Sequence, residues 1–437
     1  MSTLKSGSGS VANINAKDHE ADKLYKKVAW RILPLLILCY AVAYFDRVNV
    51  SFAKLQMASQ LGFSDTVYGL GAGIFFIGYL LAEVPSNLLL HRVGARRWFA
   101  RILITWGAIS ASMVFTTSPE SFYVLRFILG MAEAGFFPGV IYYLMQWFPE
   151  DRRSRATSLF YLGAPIAGVI GSPLSGFILN HFSGTANLQG WQWMFLIEAV
   201  PAVAMGVAIL LYLDDRIGDA AWLSRKERDF LEHRLSQENQ QKSSMLLREV
   251  FRDRNIWLFA FTLLMIVMGQ NGIYFWLPTI VKETGFRDTT VIGLVSAIPY
   301  AIAIIAVTVV GRMADRDGTA RPWLLGACVL GACAFVAMVK VGGATLELLA
   351  LTLATVCGTV MLPLFFTFPP AVLKGRPAAG GIALINSVGV IGGFVAPYMV
   401  GALRDITGAP AWSMYALATS WLVAALLTLF LPRKTQL

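Results

Sequence analysis

Long apolar runs recur along the whole chain, and they restrict its possible folds more than any other feature. A helix of about 20 apolar residues is long enough to cross a bilayer. Hydrophobic residues make up 56% of the 437 residues and charged residues only 14%, a balance unlike that of soluble domains. Twelve such runs occur, at about 30–52, 66–90, 98–116, 120–146, 156–180, 191–213, 256–281, 290–312, 322–341, 345–371, 378–402 and 411–431.

The runs are predicted to be helices. A segment inside lipid must pair all of its backbone N–H and C=O groups, which only helices and closed barrels achieve. Barrel strands alternate polar and apolar residues, and these runs do not alternate. The predicted fold class is therefore an all-α membrane protein with twelve transmembrane helices, called spans 1 to 12 below.

The net charge of +10 indicates orientation in the membrane. Basic residues are concentrated in the short loops after every second span, and the positive-inside rule places such loops in the cytoplasm. We therefore predict a multi-pass protein of the cell inner (plasma) membrane, surrounded by the lipid bilayer, with both termini cytoplasmic and no nucleic-acid partner. The basic residues include Arg92, Arg96, Arg97, Arg152, Arg153, Arg155, Arg312, Arg316 and Arg321.

The chain contains two related halves. The loop His91–Gly94 corresponds to Asp315–Gly318, and Pro173 to Pro397, both at an offset of 224 residues. Transporters built from two six-helix repeats bind substrate between the halves, near the middle of the membrane. The predicted organisation is a disordered cytoplasmic tail (1–29), an N-terminal half (30–213), a cytoplasmic linker with a short helix (214–255), a C-terminal half (256–431) and a cytoplasmic tail (432–437).

Two pairs of charged residues stand out inside the apolar runs: Asp46 and Arg47 in span 1, and Arg126 and Glu133 in span 4. Charges at that depth are costly and mark functional sites. From a helical rise of about 1.5 Å per residue, Asp46 and Arg126 reach a similar depth. Asp46 and Arg47 differ by about 100° around their helix. We therefore expect Arg47 to face a central cavity and Asp46 to face span 4.

The four charges predict coupling to protons. Arginine keeps its charge in proteins, whereas Asp46 and Glu133 can each gain a proton. With both carboxylates ionised the group is neutral, and one added proton frees a guanidinium to bind a substrate carboxylate in a bidentate manner. The prediction is proton-coupled uptake of a small organic anion. A static ion pair that joins spans 1 and 4 is the structural alternative.

The second half is neutral at the corresponding positions. Gln270 and Asn271 occupy the places of Asp46 and Arg47, so we expect the first half to hold the charge and the second half to read the shape and hydroxyl groups of the substrate. Ordinary helix packing is the alternative for each of these residues. The predicted pocket also contains Tyr44, Tyr79, Tyr274, Thr367 and Asn386, and its aromatic character favours a less hydroxylated or aromatic acid.

Several segments resemble a known family. The loop Gly311–Gly318 (GRMADRDG) resembles the loop signature of the major facilitator superfamily. Its first-half copy has Asn87 and His91 where Gly and Asp are usual, as in the anion:cation symporter branch of hexuronate, galactonate, tartrate and phthalate transporters. The segments Tyr44–Asn49, Glu83–Asn87 and Arg126–Gly139 carry the closer resemblance. Within that branch the chain is most similar to bacterial tartrate and aromatic-acid permeases.

The resemblance implies alternating access between two six-helix halves in a monomeric transporter. It implies that Arg47 anchors the substrate, that Asp46 and Glu133 bind protons, and that Arg126 switches between them as their partner. It also implies a gating role for two loops on the cytoplasmic side, with the residues Arg92, Gly94, Arg96, Gly311, Asp315, Arg316 and Gly318.

A proton-driven exporter on the same fold is the competing function. The segment Gly163–Gly176 resembles the span-5 motif of exporters, with its proline displaced, whereas Arg47 and Arg126 favour an anion. The sequence has no phosphate loop, metal-spaced cluster or nucleophile motif, so we predict no enzyme activity, cofactor or metal. Two further carboxylates lie in spans: we expect Glu83 to bond the basic loops and Glu198 to serve helix packing.

Overall fold

The computed structural model describes residues 7–239, 252–369 and 376–431, and in these ranges the chain consists of helices joined by short turns. Twelve helical segments are long and apolar enough to cross a membrane, which confirms the predicted all-α fold. The helices of the spans are Gly7–Leu61, Asp65–Val93, Ala95–Ser112, Pro119–Glu133 with Phe136–Met145, Glu150–Tyr161 with Gly163–His181, Gly190–Tyr212, Arg254–Glu283, Thr289–Arg316, Arg321–Lys340, Ala344–Phe365, Arg376–Thr407 and Ala411–Phe430.

The two halves meet mainly along two pairs of spans, 2 with 11 and 5 with 8, and span 1 also contacts span 7. Glycines make this approach possible: a Cβ atom on Gly69 would overlap the carbonyl oxygen of Pro397, and one on Gly176 would overlap that of Thr289. Small residues at such crossings allow backbones to come close together. These contacts lie toward the end of the bundle opposite the chain termini, which we call the distal end.

The first helix starts much earlier than the sequence indicated. It begins at Gly7, so the prediction of a disordered tail over residues 1–29 is wrong from that residue onward. Leu24, Tyr25 and Val28 are buried, and the Asp22 carboxylate pairs with Arg152. Packing and an ion pair therefore continue the helix beyond the apolar run. The predicted tail 432–437 lies outside the described residues.

A short helix, Arg225–Asn239, lies in the segment between the halves. Ser224 and Glu227 exchange side-chain to backbone hydrogen bonds at its start. Lys27 donates to the Glu227 carboxylate at 2.9 Å, and this hydrogen bond lowers the pKa of Glu227. The linker is therefore held to the beginning of span 1.

Three predicted spans are interrupted or shortened. Span 4 breaks after Glu133 and restarts at Phe136 because Gly135 has a left-handed conformation with φ of 86°. Ser86 donates to the carbonyl oxygen of Ala134 at 2.7 Å and occupies the space beside this glycine. Span 5 divides between Tyr161 and Gly163. The helix of span 10 ends at Phe365, and the predicted end at residue 371 lies outside the described residues.

Candidate functional site

A cavity of about 120 Å³ lies between the two halves. Seven residues that the sequence assigned to the pocket line it: Tyr44, Arg47, Tyr79, Gln270, Asn271, Tyr274 and Asn386. Both halves contribute, as expected for a site at the repeat interface. The remaining lining residues are Tyr40, Phe76, Phe137, Tyr161, Leu263, Val267, Leu362, Phe366, Gly389 and Val390.

Arg47 connects this cavity to Glu133. One of its terminal nitrogens donates to Glu133 Oε1 at 2.6 Å. The Arg47 side chain is 21% exposed, whereas that of Glu133 is only 3% exposed. The guanidinium carbon also lies 5.0 Å from the centre of the Tyr44 ring. The guanidinium therefore contacts a buried carboxylate on one side and the open cavity on the other.

Glu133 occupies an unusual place in its helix. It is the last residue of the first helix of span 4, directly before the break. Negative charge is unfavourable at the carboxyl end of a helix, so an ionised Glu133 depends on Arg47. Its second oxygen, Oε2, is buried without a hydrogen-bond partner.

Asp46 faces span 3, and the prediction that it faces span 4 is wrong. Its carboxylate accepts hydrogen bonds from Trp106 Nε1 at 2.8 Å, from the Ser110 hydroxyl and from Asn49 Nδ2 at 3.1 Å. Trp106 and Ser110 lie one turn apart on span 3, so their donors point to one place. Asp46 is buried and does not line the cavity.

Arg126, which the sequence placed in the substrate-binding group, is fully buried and does not line the cavity. It donates to the carbonyl oxygens of Gly71 at 3.3 Å and Ala72 at 3.4 Å. Its guanidinium lies 4.9 Å from the centre of the Phe75 ring. Within the described residues it forms no salt bridge, because these groups of span 2 surround it.

The second half supplies neutral polar groups. Gln270 donates to the Tyr274 hydroxyl at 3.1 Å, and Asn271 donates to the carbonyl oxygen of Val267. Thr367 follows the end of span 10, donates to the Leu364 carbonyl oxygen and does not line the cavity. The structure therefore does not bring Thr367 to the cavity, although its neighbour Phe366 lines it.

Two features of the site were missed in the sequence. Tyr40 lines the cavity one turn before Tyr44, and the spacing of Tyr40, Tyr44 and Arg47 places them on one face of span 1. That spacing was a usable signal. Glu83 is buried in span 2 and its side chain faces Asn386 of the other half; within the described residues it forms no ion pair with the basic loops to which the sequence assigned it.

The predicted gating loops differ between the halves. Gly94 has φ of 92°, and Arg96 beside it donates through its backbone N–H to Asp215 at 2.8 Å. The side chain of Arg96 also donates to the Leu210 carbonyl oxygen. The first-half loop is thus held against the start of the linker. Arg92 of the same loop is exposed. In the second-half copy Asp315, Arg316 and Gly318 are exposed, and a Cβ atom on Gly311 or Gly318 would meet no atom within 4 Å.

Within residues 7–239, 252–369 and 376–431, no three His, Cys, Asp or Glu side chains come together as a metal site would require. The arrangement can instead bind an anion. A single guanidinium faces a cavity of aromatic rings and neutral amides, and one carboxylate competes for it.

Comparison with known proteins identifies the relatives of the chain. A model of the Major Facilitator Superfamily matches residues 36–397. A putative tartrate transporter of Agrobacterium vitis is 44% identical over 414 residues, covering 94% of this chain and 95% of that protein. A quinolone resistance transporter of Acinetobacter baumannii is 41% identical over 422 residues, covering 96% and 97%.

The fold also matches solved structures. The inward open conformation of the xylose transporter XylE from E. coli has a TM-score of 0.74 at 11% identity, covering 93% of this chain and 97% of that one. At this identity the likeness concerns the fold alone. The relatives named above are transporters, in agreement with the prediction that the chain is not an enzyme.

Proposed function

The chain belongs to the major facilitator superfamily of membrane transporters, and we propose that it imports a small organic anion together with protons by alternating access. The observation that carries the proposal is the position of Arg47, which contacts Glu133 at 2.6 Å and also lines the cavity. A substrate carboxylate and Glu133 therefore compete for one guanidinium.

The proposed mechanism follows from that competition. When Glu133 gains a proton, it no longer holds Arg47 as an ion pair, and the guanidinium can bind a substrate carboxylate through two parallel hydrogen bonds. Loss of the proton restores the pair between Arg47 and Glu133 and displaces the anion. Asp46 is the second proton site in this proposal, and it contacts span 3 through Trp106 and Ser110.

The lining of the cavity supports a small carboxylic acid as substrate. The rings of Tyr40, Tyr44 and Tyr161 can pack on an apolar or aromatic body, and the amides of Asn271 and Asn386 can bond its polar groups. The tartrate transporters among the relatives support the same substrate class. We further propose a monomer in the inner membrane, with both termini cytoplasmic and with the two loops around Gly94 and Gly318 acting as gates.

The first experiment identifies the acid. Thermal-shift measurements on the purified protein with tartrate, galactonate, phthalate and hydroxyphenylacetate should find an acid that raises the melting temperature, because ligand binding stabilises the folded state by mass action. Uptake of that radiolabelled acid into proteoliposomes should rise with an inward proton gradient. Uptake that ignores a protonophore would exclude the proton-coupled mechanism.

The variant Glu133→Gln then tests the coupling. We expect it to exchange external for internal acid, because Arg47 stays free to bind, but to lose accumulation driven by the gradient. Glu120→Gln is the matched control, since Glu120 is exposed at the start of span 4. Normal accumulation by Glu133→Gln would show that Glu133 is not a coupling site.

Proton-driven export is the second candidate, and the relative named as a quinolone resistance transporter supports it. The two functions differ in the direction of the gradient that drives accumulation. An exporter would move its substrate in the direction opposite to the flow of protons, and its substrates would include molecules without a carboxylate. Arg47 in the cavity supports import of an anion.

A further inference from the structure

A second group of buried polar residues lies between Asp46 and the distal end. Glu198 of span 6 is 6% exposed, and its Oε1 accepts a hydrogen bond from Ser175 of span 5 at 2.7 Å. Asn49 of span 1 is fully buried and donates to Asp46 Oδ1. The group therefore holds two buried carboxylates, of which Asn49 bonds Asp46 and Ser175 bonds Glu198.

Two atoms in this group have no partner. Glu198 Oε2 and Asn49 Oδ1 are both buried without a hydrogen bond. Both are acceptors when Glu198 is ionised, and leaving buried acceptors unsatisfied costs about 1–3 kcal/mol each. A proton on Glu198 Oε2 removes the negative charge from this buried and unpartnered oxygen, which no cation offsets among the described residues.

The charges around Glu198 favour the same protonation state. Span 6 packs against spans 1, 3 and 5. Among the described residues, the titratable group that interacts electrostatically with Glu198 is Asp46 of span 1. Span 5 contributes the hydroxyl of Ser175. The indole and hydroxyl groups of span 3 bond Asp46 instead. Asp46 accepts three hydrogen bonds. Glu198 has one donor and no cation.

We propose that Glu198 is a third proton-binding carboxylate, which holds a proton in this conformation and exchanges it with Asp46 during transport. This inference rests on the proposed proton coupling. In the exchange, the O–H bond of Glu198 breaks and an O–H bond forms on Asp46, with a water molecule as carrier when the distal end opens. The negative charge moves from Asp46 to Glu198, so total charge is unchanged.

The depth of Glu198 suits proton entry from the distal end. It lies eight residues after Gly190, where span 6 begins, or about 12 Å along the helix. Asp46 lies fifteen residues before the end of its helix at Leu61, or about 22 Å. A proton arriving from the distal side therefore reaches Glu198 before Asp46.

Infrared difference spectroscopy on the full chain in lipid nanodiscs tests the protonation state without a substrate. A protonated carboxylic acid has a C=O stretch above the amide I band. We expect this band at neutral pH, its loss in Glu198→Gln and its recovery in Glu198→Asp, with no change in Glu120→Gln. A Glu198→Gln protein that is folded by thermal melting and keeps the full band would overturn the proposal.

Uptake by proteoliposomes tests the exchange with Asp46. With the acid that binds best as probe, Glu198→Gln should slow gradient-driven uptake about tenfold or more and flatten its pH profile, because a positioned proton donor is lost. A pH profile equal to that of the unmodified protein would overturn the role of Glu198 alone. If a protonophore leaves uptake by the unmodified protein unchanged, the proposed function is overturned instead. The infrared band would still report the protonation state of Glu198.

Discussion

Arg47 determines what the site can bind, because its guanidinium contacts both Glu133 and the cavity. A buried carboxylate without its cation is strongly destabilising, and so is a cavity cation that has no anion. The 2.6 Å contact satisfies both groups while the cavity holds no anion. A substrate carboxylate can replace Glu133 only if Glu133 is neutralised, so binding and protonation depend on one side chain.

Arg47→Ala should weaken acid binding and also lower stability. Loss of charge-assisted hydrogen bonds of about 1.5–3 kcal/mol weakens binding about tenfold to a hundredfold, and the unpaired Glu133 costs about 3–5 kcal/mol. The double variant Arg47→Ala/Glu133→Gln should regain stability but not binding. Thermal melting with and without the acid measures both effects. Restored binding in the double variant would contradict the role of Arg47 as anchor.

The position of Arg47 could be predicted from sequence, but the contacts of Asp46 could not. The angle between adjacent helix positions separates the two side chains, and the spacing of Tyr40, Tyr44 and Arg47 marks the cavity face. Which neighbouring helix receives Asp46 depends on tertiary packing. Trp106 and Ser110 on span 3 provide its donors, and neither of them is distinguished from ordinary packing residues by the sequence.

At the level of elements, the break in span 4 places Glu133 at a helix end beside Arg47. Gly135 has φ of 86°, and a Cβ atom there would overlap the Ser86 hydroxyl. Both parts of the span are apolar, so the hydropathy pattern runs through the break without a change. One glycine among the 39 in the chain gives no reliable turn signal, and the prediction of a continuous helix therefore failed.

Gly135→Ala should lower stability and slow uptake, because the left-handed conformation costs about 1–2 kcal/mol for a residue with a Cβ and the methyl group displaces Ser86. Gly62→Ala is the matched control: Gly62 has φ of 69° with no atom within 4 Å of its Cβ position, so it carries the backbone strain alone. Apparent melting temperatures in detergent measure the difference. Equal losses in both variants would show that the contact with Ser86 does not matter.

For the whole molecule, the distal end is closed by charges from both halves. Asp65 forms an ion pair with Lys54 at 2.8 Å and accepts a hydrogen bond from Arg404 of the other half at 2.9 Å, and Arg404 also pairs with Glu283. The offset of 224 residues was sufficient to predict two halves. It could not predict this cluster, because Lys54, Asp65, Glu283 and Arg404 lie at different span ends and are brought together only by the packing of the halves.

Alternating access requires these distal contacts to break when that end opens. Arg404→Gln removes the ion pairs to Asp65 and Glu283. A charge-assisted hydrogen bond contributes about 1.5–3 kcal/mol, so its loss should raise the population that is open at the distal end by about tenfold or more. Arg287→Gln is the control, since Arg287 is an exposed cation of the same distal loop region.

A single cysteine at Val267, which lines the cavity, reports the change once the four native cysteines are replaced. A membrane-impermeant maleimide added from the distal side should label this cysteine faster in Arg404→Gln than in Arg287→Gln or in the single-cysteine protein without either substitution. Unchanged labelling would mean that the charge cluster does not hold the distal end closed. Faster labelling would show that these ion pairs stabilise the closed distal end. The charged partners of Arg404 lie in spans other than its own, so the repeat pattern in the sequence does not reveal them.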